Sequence, residues 1–462
     1  MTLIKSISGI RGTIGGTEGE NLTPRDVVTF TSAFGELIRQ RSGKVRPHLV
    51  IGRDARISGS MVRDLVCATL NAMGIDVTDC GLSTTPTVEM AVVMAGADGG
   101  IILTASHNPA QWNALKLLNE KGEFISADEG AELLRLAGQP IRYADVMSLG
   151  TTTMDDTYLN RHIAAISVLP WVGTDAITEA GFRVAVDGIN SSGGFAVPAL
   201  LKAIGVKDIC VLHGEPNGHF AHNPEPLPEH LSDLSRAVVE HGCHVGISVD
   251  PDVDRLALVC EDGSMFGEEY TLVAVADHIL SMKKGATVSN LSSSRALRDV
   301  TRAHGCTHYA SAVGEVNVVT MMKEQGAVIG GEGNGGIIVP DLHYGRDALA
   351  GIAIFLTHLA RKKLSMSALK ATYPPYVIIK NKVELTPGMD VDALLRDVEQ
   401  RFAGEQVNTT DGVKIDFDHG WVHLRKSNTE PIVRIYAEAK DEGAALALAE
   451  GVMAAVKEVA GI

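Results

Sequence analysis

Short runs of β-branched and apolar residues alternate with longer stretches whose apolar positions fall at helical spacing. His48-Leu49-Val50-Ile51-Gly52, Ile75-Asp76-Val77 and Gly100-Ile101-Ile102-Leu103-Thr104 read as strands, and Met61, Leu65, Ala68 and Leu70 mark a helix between the first two. Strand, helix, strand, helix predicts a largely parallel sheet covered on both faces. The rhythm restarts at Phe182-Arg183-Val184-Ala185-Val186-Asp187 and continues through Ile209-Cys210-Val211-Leu212 to His244-Val245-Gly246-Ile247-Ser248-Val249-Asp250. It starts a third time at Ala286-Thr287-Val288-Ser289 and runs on to Ala327-Val328-Ile329-Gly330. Three α/β blocks of similar size imply three related domains, without a close residue-level repeat.

At Tyr373-Pro374-Pro375 the pattern breaks, because proline resists both helix and central strand. Beyond it, Val377-Ile378-Ile379, Val413-Lys414-Ile415-Asp416-Phe417, Trp421-Val422-His423-Leu424 and Ile432-Val433-Arg434-Ile435-Tyr436 read as strands. Val391, Leu394, Leu395, Val398 and Phe402 share one helical face, and Ala444 to Val456 forms a closing helix. This last part is α+β and is expected to move about the proline break. The chain's 462 residues fit several units of about 100–150 residues each. The predicted domains are 1–150, 151–256, 257–372 and 373–462: three similar mixed α/β domains and a C-terminal α+β domain.

Composition narrows the function. Apolar residues make up 45% and charged residues 21%, as in ordinary globular proteins. A net charge of −15 disfavours nucleic acid and anionic membranes as partners. A phosphorylated small molecule remains open if arginines and lysines gather locally. Cys67, Cys80, Cys210, Cys243, Cys260 and Cys306 are scattered without a Cys-x-x-Cys pair, which argues against a zinc site and against a disulfide framework. The start of the chain lacks the apolar core of a signal peptide, and no run of about 18 apolar residues occurs. The expected location is therefore the cytoplasm.

Asp250-Pro251-Asp252-Val253-Asp254-Arg255 follows a strand. Alternating aspartates on a loop aim several carboxylates at one centre, the hard-oxygen set that Mg²⁺ prefers. The carboxyl end of a strand is also where ligands bind in open α/β sheets. A solvated acidic turn is the plain alternative, but three aspartates so close repel one another. An EF-hand is excluded, since its glycine and distal glutamate are missing at the required offsets.

Thr104-Ala105-Ser106-His107-Asn108-Pro109 also follows an apolar strand. A lone serine here would most simply cap a helix. Its neighbours alter that reading: His107 and Asn108 can bond phosphate or metal-bound oxygens, Pro109 fixes the turn, and Lys116 stands a few residues on. A serine hydroxyl normally needs an adjacent base, whereas a phosphoserine starts as the donor and needs none. Its phosphate would also supply a further hard ligand to a metal on the aspartate loop.

Arg425-Lys426-Ser427-Asn428-Thr429-Glu430-Pro431, with Arg434 beyond, concentrates basic and small polar side chains as a phosphate clamp would; a polar hairpin turn is the alternative. Ser8-Gly9-Ile10-Arg11-Gly12 holds an arginine between glycines that allow close backbone approach to a ligand. Gly330-Gly331-Glu332-Gly333-Asn334-Gly335-Gly336 offers a carboxylate and an amide to sugar hydroxyls, and its spacing fails the dinucleotide fingerprint.

Taken in this order, the SGIRG, TASHNP, DPDVDR, GEGNGG and RKSNTEP stretches resemble those of the α-D-phosphohexomutase superfamily, over essentially the whole chain. The resemblance implies four domains around a central cleft, with Ser106 as the phosphoserine and Asp250, Asp252 and Asp254 holding one Mg²⁺ together with its phosphate. It places Arg11, His107, Lys116 and Arg255 at the reaction centre, with Lys116 as candidate base. Glu332 and Asn334 would contact the sugar, and Arg425, Ser427, Asn428, Thr429 and Arg434 the phosphate that is not reacting. The implied reaction interconverts hexose 6- and 1-phosphates through a bound 1,6-bisphosphate, in a monomer or homodimer. Closure of the last domain would keep water out.

Within the family, glucosamine phosphate is the expected substrate, with mannose or glucose phosphate as the alternative. A metal-dependent sugar phosphatase with an aspartate nucleophile is the competing class, and a sugar-phosphate binding protein without activity is a third. Pro251 and Val253 stand where relatives usually carry glycine or alanine, and Asn113-Ala114-Leu115-Lys116 replaces Asn-Gly-x-Lys. Asn334, Gly336 and Glu315 also depart from common patterns in the positions that meet the sugar.

Overall fold

Leu49 and Ile51 turn to one side of their strand and Val50 to the other, and all three are fully buried. That is what a strand covered on both faces requires. In the computed structural model, which describes residues 2–6, 9–385, 389–426 and 432–460, this strand (His48–Arg53) lies inside a seven-stranded sheet. It pairs in parallel with Gly99–Leu103 and Asp76–Leu82, and the latter pairs in parallel with Thr152–Met154.

The other half of this sheet is antiparallel, which corrects the expectation of a largely parallel one. Trp112–Leu118 runs back along Gly99–Leu103, Gly9–Thr13 pairs antiparallel with it, and Ile4–Ser6 closes the edge. The short loop between Leu103 and Trp112 turns the chain back for the first of these pairs, because antiparallel neighbours need no crossover helix. Helix Pro24–Ser42 covers one face through Val27, Phe30, Phe34, Leu37 and Ile38, which pack with Leu49, Ile51, Ile101 and Leu103. It starts at a Thr23–Asp26 capping box and stops at Gly43, whose φ of 61° suits glycine. Truncating the fully buried Phe34 to alanine would cost about 3–5 kcal/mol.

A second sheet has the order Leu256–Cys260, Val245–Val249, Arg183–Asp187, Asp208–Leu212; its first pair is antiparallel and the rest are parallel. In a third, Thr287–Asn290 lies between His308–Ser311 and Ile329–Glu332, all parallel. The C-terminal sheet is wholly antiparallel, in the order Val377–Glu384, Ile432–Ala439, Gly420–Lys426, Val413–Phe417, Gln406–Asn408. Helices Val391–Arg401 and Glu442–Ala460 accompany it, and Leu394, Leu395, Val398, Val452 and Val456 enter its core.

The chain divides into two compact units, Met1–Thr271 with Gly335–Ala368, and Leu272–Asn334 with Leu369–Ile462. Within the second, Arg295 ties helix Arg295–Ala303 to the antiparallel sheet. Its backbone N–H donates to Glu438 at 2.9 Å and its guanidinium to Asp416 at 2.6 Å and to the Gly420 carbonyl at 2.8 Å. Among the described residues no helix is long and apolar enough to cross a membrane.

Candidate active site

Ser106 follows strand Gly99–Leu103 and adopts φ 49°, a left-handed conformation that side chains other than glycine rarely take. Its neighbours impose it. The Thr104 hydroxyl accepts from the Ser106 N–H at 2.9 Å and donates to Asp54 Oδ2 at 2.6 Å. Arg56, fully buried, donates to the carbonyls of Ser106, Asn108, Pro109 and Trp112, and to Asp54 at 3.0 Å. One guanidinium thus gathers the carbonyls of the turn, and the serine Oγ donates to Asp250 Oδ2 at 2.6 Å.

Asp250, Asp252 and Asp254 are fully buried on the turn between strands Val245–Val249 and Leu256–Cys260. Asp250 Oδ1 accepts the N–H groups of Asp254 and Arg255, each at 3.1 Å, which curls the turn. Val253 completes it at φ 63°, an expensive conformation for a β-branched residue. The turn is therefore made under strain. One ligand oxygen from each aspartate lies within 4.8 Å of the others. Burial, then Asp254 and Asp252, push the Asp250 carboxyl well above its ordinary range. Asp252 Oδ1 and Asp254 Oδ1 are buried without a hydrogen-bond partner. Excess negative charge with unused oxygens is the setting a divalent cation fits, and an all-carboxylate donor set suits Mg²⁺.

Basic groups surround this centre. Lys116, on strand Trp112–Leu118, donates to Asp252 at 2.7 Å and to Asp254 at 3.3 Å. Burial opposes its charge, but the two carboxylates outweigh burial and raise its pKa. Thr85 donates to Asp252 Oδ2 at 2.6 Å, and Arg346 to Asp254 Oδ2 at 2.8 Å.

His107 Nδ1 lies 3.5 Å from Ser106 Oγ. Burial and then the charges of Arg255, Arg346 and Arg11 push its pKa down to about 2, which leaves the imidazole neutral. Arg11, reaching Asn108 Oδ1 at 3.5 Å, has its own pKa lowered by burial, with Arg255 and Arg346 adding to the effect. Three arginines close enough to repel one another mark a place for an anion. The glycines beside Arg11 serve packing: a side chain on Gly9 would strike the Leu115 carbonyl, and one on Gly12 would meet Leu22 at 3.0 Å.

In the other unit, Glu332 ends strand Ile329–Glu332 and accepts from Asn290 at 3.0 Å, the Gly314 N–H at 3.2 Å and Asn334 at 3.5 Å. Arg425 pairs with Asp411 at 2.9 Å, and Arg434 is exposed on the neighbouring strand. Ser427, Asn428 and Thr429 lie outside the described residues, as does Ser8. Sequence reasoning missed Asp54, Arg56, Thr85 and Arg346. The run Gly52-Arg53-Asp54-Ala55-Arg56 at a strand end was a usable signal for the first two. Nothing local marks Thr85 or Arg346.

Sequence profiles of the phosphoglucomutase/phosphomannomutase family match in four parts: α/β/α domain I over residues 3–139, domain II over 157–263, domain III over 267–376 and the C-terminal domain over 381–455. A Thermococcus kodakarensis protein named phosphoglucomutase/phosphomannomutase is 35% identical, covering 93% of this chain and 94% of its own. A Sulfurisphaera tokodaii phosphoglucosamine/phosphogalactosamine mutase is 30% identical, covering 95% of each chain. The crystal structure of a phosphoglucomutase/phosphomannomutase family protein from Burkholderia thailandensis superposes with a TM-score of 0.84 at 26% identity, covering 99% of this chain and 98% of that one. With every part of the family's architecture present and in order, the chain belongs to the α-D-phosphohexomutase superfamily and is a phosphohexomutase.

Proposed function

We propose that the enzyme interconverts glucosamine 6-phosphate and glucosamine 1-phosphate, with Ser106 carrying the transferred phosphoryl group. The observation that carries the mechanism is the Ser106 hydroxyl, turned out of a strained loop onto Asp250 at 2.6 Å. Asp250, Asp252 and Asp254 would hold Mg²⁺, which supplies Lewis-acid stabilisation to phosphoryl oxygens. Arg11, Arg255 and Arg346 offset the charge of the phosphoserine. The bond from Ser106 Oγ to phosphorus breaks as the sugar's free hydroxyl bonds to that phosphorus. The proton lost by the sugar hydroxyl balances the one Ser106 Oγ regains. The resulting 1,6-bisphosphate turns over, and its other phosphoryl group returns to Ser106. Lys116, beside Asp252 and Asp254, offsets charge on the moving group. Glu332 and Asn334 meet ring hydroxyls, while Arg425, Ser427, Asn428, Thr429 and Arg434 hold the idle phosphate.

The glucosamine assignment draws support from the Sulfurisphaera relative's name; the Thermococcus relative's name favours glucose or mannose as the second reading. Comparing kcat/KM for the three sugar 1-phosphates decides between them. We expect glucosamine 1-phosphate to lead, and a tenfold preference for either other sugar would reassign the substrate. Ser106→Ala tests the mechanism: isomerisation and covalent phosphate on the chain should both vanish. Release of inorganic phosphate that survives this change would point instead to an aspartate nucleophile.

A further inference from the structure

We propose that Asp187, His213 and His222 form a second metal site, one that takes a borderline divalent ion of the Zn²⁺ kind. Asp187 ends strand Arg183–Asp187, with a side chain only 1% exposed, while those of His213 and His222 are 23% and 16% exposed. The carboxylate is therefore anchored in the fold, and the two imidazoles leave a path for an ion to enter.

The hydrogen bonds contain a mismatch that an ion would resolve. His222 Nδ1 lies 2.8 Å from the Asn223 carbonyl oxygen, which can only accept, so Nδ1 bears a proton. In the neutral ring Nε2 is then a bare lone pair, and it faces Asp187 Oδ2 at 2.9 Å. Two acceptors at that distance need a positive charge between them, either a second ring proton or a metal ion. His213 Nδ1 faces the other carboxylate oxygen at 3.1 Å. The three donor atoms lie within 4.8 Å of one another, and the two nitrogen–oxygen separations suit neighbouring ligands on bonds of about 2.0–2.2 Å.

The surroundings resemble a built coordination shell. The Asn223 carbonyl orients His222, and the Ile189 N–H holds Asp187 Oδ1 at 2.9 Å. Metal-binding histidines are commonly fixed by such outer contacts. Two imidazoles and one carboxylate favour Zn²⁺, Co²⁺ or Fe²⁺ over Mg²⁺, whereas the three aspartates of the mutase site favour Mg²⁺. The two sites would thus sort their ions by ligand chemistry. Loading the site with His222 in its doubly protonated form releases one proton to solvent.

Occupancy also bears on the mutase centre. The segment carrying His222 brings Phe220 against the Arg56 guanidinium, 5.1 Å from the ring centroid, and Glu225 to Arg255 at 3.4 Å. An ion that pins His222 would stiffen a segment that touches both arginines.

The test uses the full-length protein, stripped with chelator and titrated with Co²⁺ in excess Mg²⁺. We expect one Co²⁺ per chain with the visible bands of a four- or five-coordinate ion, retained in Asp252→Asn. His213→Gln and His222→Gln should each weaken binding at least about tenfold. In the wild-type protein, proton NMR should show paramagnetically shifted ring resonances from two histidines, which gives a readout should the variants fail to fold. Absence of uptake, uptake unchanged in both histidine variants, or shifted resonances from no histidine would each overturn the site. In that case the His222–Asp187 contact is an imidazolium–carboxylate ion pair.

Discussion

Arg425 and Arg434 stand directly opposite each other on neighbouring antiparallel strands, and Lys382 continues the row on the next strand over. Like charges in cross-strand register destabilise a sheet. Asp411, 2.9 Å from Arg425, and Glu384, 3.4 Å from Lys382, answer only part of this charge. A row of this kind is expected where an anion is gripped. Replacing Arg434 with alanine should therefore raise KM for the sugar phosphate about tenfold or more, the loss of one charge-assisted hydrogen bond, with a smaller effect on kcat. Steady-state kinetics check it; an unchanged KM would remove Arg434 from the clamp.

Arg56 should govern the serine loop without touching substrate. Arg56→Lys keeps the charge but loses the fork that reaches four carbonyls, so we expect a loss of about 2–4 kcal/mol in urea unfolding. Phosphoserine in this variant should hydrolyse faster than in the wild type, because the loop no longer holds Ser106 at one angle. A variant with full stability and an unchanged phosphoserine lifetime would contradict this role.

Metal removal should separate folding from turnover. Treatment with EDTA is expected to lower kcat by at least about a hundredfold while leaving far-ultraviolet circular dichroism intact, and Mg²⁺ should restore activity. Asp254→Asn, which alters one of the unused oxygens, should resist that restoration. Full activity in chelator would refute the assignment of the aspartate loop.

His343 gives a stability signature on the alkaline side. It lies between Asp347, 3.2 Å from Nε2, and Glu89, 3.3 Å from Nδ1. Burial opposes its charge, yet the two carboxylates prevail and push it up to about 10. The unfolded value is about 6.5. A group that holds its proton more tightly when folded contributes fully below the unfolded pKa, and that contribution fades as pH rises through the folded one. Stability should therefore decline between about pH 6.5 and 10 in the wild type, and less steeply in His343→Asn. Parallel profiles from urea unfolding would rule the ion pair out as the cause.

The sequence made the strand ends readable because chemistry and local order coincide there. Ser106 and the three aspartates each follow an apolar run, and both loops sit where those runs stop. What stayed hidden depends on contacts between distant residues. Trp112–Leu118 carries Asn113, Leu115 and Lys116 in a strand whose antiparallel course is decided by its partners, not by its own residues. Arg346 reaches Asp254 across 92 residues and Thr85 reaches Asp252 across 167, so neither has a neighbour in sequence that betrays its use. Lys116 stands out in the sequence, but the two carboxylates that hold it lie 136 and 138 residues away.

The left-handed backbone at Ser106 narrows the evolutionary choices at that position. Threonine offers the same hydroxyl and forms equally good phosphate esters, so chemistry alone would let the two interchange. Its extra methyl on Cβ, however, would crowd the backbone in a region that β-branched residues largely avoid. Drift from serine to threonine would thus add strain of the kind Val253 already carries, and on the proposed mechanism the turn itself favours serine as the phosphate carrier.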